Sequence, residues 1–119
     1  VKVLGKARGR YAVTPGGGAG MVMCLHTNDS LHARTLCCDD KGFPVEYEGC
    51  ESDASLTRAT SGYDDASAAC EAAGLSLCRE NAARSKFAAE ALKKCHVEKK
   101  HNLKVWTSTA CIPPSFKGL

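Results

Sequence analysis

The sequence is short of large apolar side chains. Its 119 residues include one Trp, three Tyr and three Phe, and Val, Leu and Ile together supply only 18 of the 52 hydrophobic residues, against 17 Ala. A methyl group buries little area, so the core of such a chain is thin. The length suits one domain with an arm, not two packed domains. No apolar run approaches the roughly 18 residues of a membrane-spanning helix, and residues 1–11 are basic without the apolar stretch of a secretory leader. No membrane span is expected, and the chain reads as a mature, soluble product. The cysteines also lack one pattern, because no C-x-x-C occurs. Structural zinc sites usually take thiolates in close pairs, and thioredoxin-like redox sites need the same spacing, so neither chemistry is expected.

Eight Cys are present, at 24, 37, 38, 50, 70, 78, 95 and 111. In so short a chain they are read as disulfides that supplement the thin core, each worth about 2–4 kcal/mol. Asn28-Asp29-Ser30 is an N-glycosylation acceptor, with Asn28 as its site, and agrees with a secretory route. Together these features predict an oxidising compartment, extracellular or lumenal. Eight Cys allow about a hundred pairings, and sequence selects none of them. Adjacent Cys37 and Cys38 point to opposite faces of a strand and should reach different partners, with Cys24 and Cys50 nearest in sequence. Cys78 with Cys95, and Cys70 with Cys111, are the other expected groupings.

Charge alternates along the chain. Residues 1–36 carry five basic and one acidic side chain, residues 37–65 two and eight, and residues 66–119 nine and four. Residues 1–20 hold Lys2, Lys6, Arg8 and Arg10, then Pro15 and a Gly run, and are expected to form a basic, Gly-rich arm and connector. No Gly-Lys-Ser/Thr follows the run, which argues against a phosphate-binding loop. Short strands are predicted at residues 21–25, 33–38, 43–47, 75–78 and 104–111. One helix should begin at Asp64 or Asp65, bury Ala66, Ala69, Cys70 and Ala73, and end at Gly74. A second is predicted over residues 80–95, with Ala83, Phe87, Ala88, Ala91, Leu92 and Cys95 on its core face. The domain proper is thus placed at residues 21–112, with a C-terminal tail at 113–119 after Pro113-Pro114.

Catalytic groups do not assemble in the sequence. The four His stand at 26, 32, 96 and 101; Cys95-His96 adjacency is poor geometry for a nucleophile pair, and His96 and His101 would not share a helix face. The acidic residues Asp39, Asp40, Glu46, Glu48, Glu51 and Asp53 lack the ligand register of an EF-hand loop. No catalytic residue, metal site or cofactor is expected, and the chain is read as a non-enzyme. The basic residues Arg84, Lys86, Lys93, Lys94, Lys99, Lys100 and Lys104 are the candidate contact face, for a protein partner or an acidic polysaccharide. Nucleic acid is not expected, because the nearby aromatics Phe87 and Trp106 are predicted to be buried and not available for stacking on bases.

Over residues 34–111 the order of features resembles a known module. Leu36-Cys37-Cys38-Asp39, Gly49-Cys50, Tyr63-Asp64-Asp65-Ala66 through Cys70, Gly74 to Cys78, Cys95, and Val105-Trp106-Thr107 with Cys111 look like a Cys-rich, C-type-lectin-like module of extracellular proteins from microalgae and marine animals. The resemblance implies a small α+β disulfide scaffold, two helices against a short antiparallel sheet, without a catalytic role. The lectin family's Glu-Pro-Asn or Gln-Pro-Asp followed by Trp-Asn-Asp is absent, so no sugar or Ca²⁺ ligands carry over. The expected function is a structural or recognition module of a secreted or surface protein, as a glycoprotein if Asn28 is modified. The alternatives are an accessory subunit of an assembly in an oxidising lumen, such as a photosystem in an algal thylakoid, a divergent lectin, or a small secreted hydrolase.

Overall fold

The structure is a computed structural model and describes residues 8–17, 22–28, 33–52, 54–97 and 103–113. The described chain forms β1 (Gly9–Val13), β2 (Val22–His26), β3 (Cys37–Cys38), β4 (Pro44–Val45), α1 (Tyr63–Ala72), β5 (Ser76–Leu77), α2 (Glu80–Ala83), α3 (Lys86–Lys94) and β6 (Val105–Cys111). Two antiparallel three-stranded sheets result, in the orders β2-β1-β6 and β4-β3-β5. The class is α+β. Arg34 bridges Val105, and the Ser108 amide donates to the Cys78 carbonyl at 2.8 Å, so β6 joins one sheet to the other.

Alternation along the strands distributes the thin core to both sides. Val13, Cys38 and Val105 belong to one buried cluster, with Ala88, Ala91 and Leu92 of α3. Their chain neighbours Ala12, Cys37 and Trp106 belong to the other, with Ala66 and Cys70 of α1. Successive strand residues point to opposite faces, so the sheets become a middle layer between α1 and the α2–α3 pair. Trp106 fills the α1 side at 0% exposure; its Nε1–H donates to the Ser61 carbonyl at 2.6 Å, and its ring meets Tyr63 edge to face.

All eight Cys are bonded, in the pairs Cys24–Cys111, Cys37–Cys70, Cys38–Cys78 and Cys50–Cys95. The expected groupings of Cys78 with Cys95 and of Cys70 with Cys111 are replaced. Cys37 and Cys38 do reach different partners, but these are Cys70 and Cys78 rather than Cys24 and Cys50. The cause is the layering: Cys37 faces α1, while Cys38 faces the other way beside the end of β5. Cys24–Cys111 links β2 to β6 across the intervening β1, and Cys50–Cys95 holds the loop after β4 to the end of α3.

Three further expectations change. Gly9–Val13, assigned from sequence to an arm, is the central strand of its sheet. The Gly run is not merely a connector at its start: Gly16 has φ +66, donates to the Ala83 carbonyl at 3.0 Å, and leaves no room for a Cβ, which would stand 2.7 Å from Ala89 Cβ. Residues 18–21 lie outside the described chain. The helix predicted over residues 80–95 is two helices, so the described residues hold three helices rather than two. Ser85 divides them with extended backbone, and its Oγ–H donates to the Ala82 carbonyl at 2.6 Å. Such local bonding by Ser competes with a continuous helix.

Candidate interaction surface

Both longer helices end in the same closure. In α1, Gly74 (φ +76) donates to the Glu71 carbonyl and Leu75 to that of Cys70; in α3, His96 (φ +61) donates to Lys93 and Val97 to Leu92. These are Schellman motifs, with the residue after the cap in the left-handed region. The α3 closure turns the chain back so that Val97 packs beside Leu92, and Cys95 bonds Cys50. One side of α3 (Ala88, Ala91, Leu92) is thereby fixed in the core, and its opposite side faces out.

That outer side carries the basic residues read from sequence. Lys86, Lys93 and Lys94 are exposed. At 100° per residue Lys86 and Lys93 fall on one stripe, about 10 Å apart along the axis, with Lys94 beside it. Glu90, also exposed, stands between them. The split helix separates Arg84 from this stripe, and Arg84 is engaged with Glu80 at 2.9 Å. Lys104 is half-buried beside β6, with its carbonyl accepting from the Arg34 amide, and Lys99 and Lys100 lie outside the described residues. The structure therefore brings Lys86, Lys93 and Lys94 together and sets Arg84 and Lys104 apart. The Cys50–Cys95 bridge, with Cα atoms 5.3 Å apart, also sets the acidic loop around Glu48 and Glu51 next to the basic end of α3.

The other candidates are placed as follows. Asn28 is exposed, its amide donating to His26 Nδ1, while Asp29 and Ser30 of the sequon lie outside the described residues. His96 is a turn residue whose carbonyl accepts from Arg58; His32, His101 and Asp53 are not described. Asp39 Oδ1 accepts from the amides of Lys41 and Phe43 and so shapes the β3–β4 turn. Among the described residues no three His, Cys, Asp or Glu side chains gather around a common point that could hold an ion. No described helix is long and apolar enough to cross a membrane.

Depressions among the described residues include a cleft and a groove. A cleft of about 470 Å³ lies between the β3–β4 turn, β5 and α2, with Asp40, Lys41, Arg79 and Asn81 among its walls. A shallower groove of about 830 Å³ runs between Glu46, Tyr47 and Glu48 on one side and Ala69, Ala72 and Leu75 on the other. Sequence reasoning missed a further feature. Phe87 is 41% exposed, not buried, and its ring meets the 51% exposed Phe43 edge to face at 5.7 Å. The helical period assigned Phe87 to the core face; the break at Ser85 restarts the helix one residue before it and leaves it at the rim.

Compared with family models, with curated proteins and with solved structures, the chain matches none.

Proposed function

We propose that the protein is a non-enzymatic, disulfide-braced module of the C-type-lectin-like kind, secreted or displayed at a surface, that binds a protein partner through the outer side of α3. The observation that carries this reading is how α3 is held. Its Ala88, Ala91 and Leu92 side is buried, a disulfide fixes its end, and Lys86, Lys93 and Lys94 stand outward on a rigid support. The backbone that carries these cations is already ordered, so a partner has only the Lys side chains to fix, which favours recognition there. Four disulfides and no free thiol support an oxidising compartment and leave no Cys nucleophile. The same exposed lysines are also compatible with an acidic polysaccharide or with a place in a larger lumenal assembly.

Size-exclusion chromatography of native extracts, at low and high salt, tests the reading. The oxidised chain is expected to elute in an assembly, and Lys86→Ser/Lys93→Ser/Lys94→Ser or high salt should shift it toward monomer, since exposed charge pairs are screened. A monomer at low salt, or an assembly indifferent to both changes, contradicts it. Loss of the assembly on treatment with polysaccharide lyases would assign the face to a glycan instead.

A further inference from the structure

We infer that the Phe43–Phe87 pair is the apolar anchor of this interface, and that the partner is a protein presenting an apolar side chain ringed by carboxylates. The inference rests on the reading that α3 faces a partner, and it adds where the contact centres and what it accepts.

The chain has three Phe and a core built largely from Ala and Cys, yet Phe43 and Phe87 are 51% and 41% exposed. They come from separate elements, the β3–β4 turn and the first turn of α3, and converge because α3 packs on β4. Each is held in place: Asp39 Oδ1 accepts the Phe43 amide, and Phe87 sits on a helix whose far side is core. Aromatic side chains, Phe among them, are enriched in the cores of protein interfaces relative to the rest of the surface.

Geometry and charge indicate the occupant. The rings meet at an interplanar angle of 87°, so they do not lie side by side in one plane. Stacking on a sugar favours a flat aromatic platform, whereas a perpendicular pair presents one ring face beside one ring edge and suits an apolar side chain. Lys86 Nζ stands 5.7 Å from the Phe87 ring centre, and the exposed Lys41 lies in the same β3–β4 turn as Phe43. Lys93 and Lys94 continue the cationic stripe about 10 Å along α3. Asp40 and Glu90 also stand exposed at the margin, against Lys41, Lys86, Lys93 and Lys94, and the acidic loop of Glu48 and Glu51 lies beyond them at the Cys50–Cys95 end of α3. These carboxylates oppose an anionic lipid surface but are readily accommodated by the mixed charges of a protein.

The test uses random peptides of about a dozen residues, displayed on phage and selected on the oxidised full chain. Enriched peptides are then titrated against wild type, Phe43→Ser/Phe87→Ser, and Lys86→Ser/Lys93→Ser/Lys94→Ser. The expected peptides carry an apolar residue flanked by Asp or Glu, bind the Phe variant about 30-fold or more weakly, and lose their salt dependence with the Lys variant. Each single Phe variant should give a partial loss, which keeps the test open if the double variant does not fold. No enrichment, basic peptides, or undiminished binding to the Phe variants overturns the anchor. In the last case, weaker binding by the Lys variant would leave the basic-face reading standing without the anchor. Co-sedimentation with phosphatidylcholine/phosphatidylglycerol vesicles that is abolished by the Phe changes would also overturn it, in favour of a lipid surface.

Discussion

Gly9 sits where three strands and a disulfide meet. It pairs with His26 on one side and Cys111 on the other, and the Cys24–Cys111 bond passes over it. A Cβ there would stand 2.7 Å from Pro113 Cγ and 2.9 Å from both Cys24 Sγ and the Leu25 carbonyl. Gly9→Ala is therefore expected to destabilise by about 1–3 kcal/mol, as overpacking does. Gly62→Ala, whose Cβ would approach nothing nearer than 3.8 Å, should cost less, about 1 kcal/mol or under, from the exchange of the α1 N-cap glycine. Chemical denaturation of the oxidised variants, followed by circular dichroism, checks the contrast; equal effects would contradict the close approach. His96 makes the opposite case. Its φ of +61 closes α3, yet only its backbone is bonded there, to Arg58 through its carbonyl and to Lys93 through its amide. His96→Gly removes the cost of a Cβ in that conformation and should raise stability by up to about 1 kcal/mol in the same assay. A loss of stability would show that the imidazole carries a contact of its own.

At the scale of elements, burial on α3 separates support from contact. Leu92 is 1% exposed and joins α3 to the sheets, so Leu92→Ala should cost about 2–5 kcal/mol; Phe87→Ser, at the exposed rim, should cost far less. Melting curves of the two variants give the order, and the reverse order would mean that the face is misassigned. Much of this level is legible in the sequence. Ala66 and Cys70 lie on the buried side of α1 and Gly74 stops it, although Ala73, expected to be buried, is exposed; all five predicted strands overlap observed ones, closely for β2 and β6, because these depend on short-range period and turn chemistry. The break at Ser85 is not legible, because a hydroxyl bonding the Ala82 carbonyl leaves the apolar period of residues 80–95 intact. Gly9–Val13 is hidden for a different reason. Its partners β2 and β6 decide its fate, and β6 lies some ninety residues away in the chain. Of the contact face, the charges of Lys86, Lys93 and Lys94 are visible in the sequence, while the meeting of Phe43 with Phe87 depends on tertiary packing.

For the whole molecule, the four bridges do what a larger apolar core would otherwise do. They close sequence separations of 33, 40, 45 and 87 residues and join every layer: β3 to α1, β3 to the end of β5, the loop after β4 to α3, and β2 to β6. No pair was accessible from sequence spacing, since each reflects which strand face a Cys occupies rather than how near its partner lies along the chain. The orientation of α3, and with it the proposed binding face, depends on Cys50–Cys95. These particular bonds hold the α+β scaffold together. Peptide mapping of the unreduced native protein by mass spectrometry, with stepwise reduction to separate Cys37 from Cys38, tests this most directly. The expected linkages are Cys24–Cys111, Cys37–Cys70, Cys38–Cys78 and Cys50–Cys95, with no titratable free thiol. Any other pairing, such as Cys78 with Cys95, or the presence of free thiols, would contradict this connectivity.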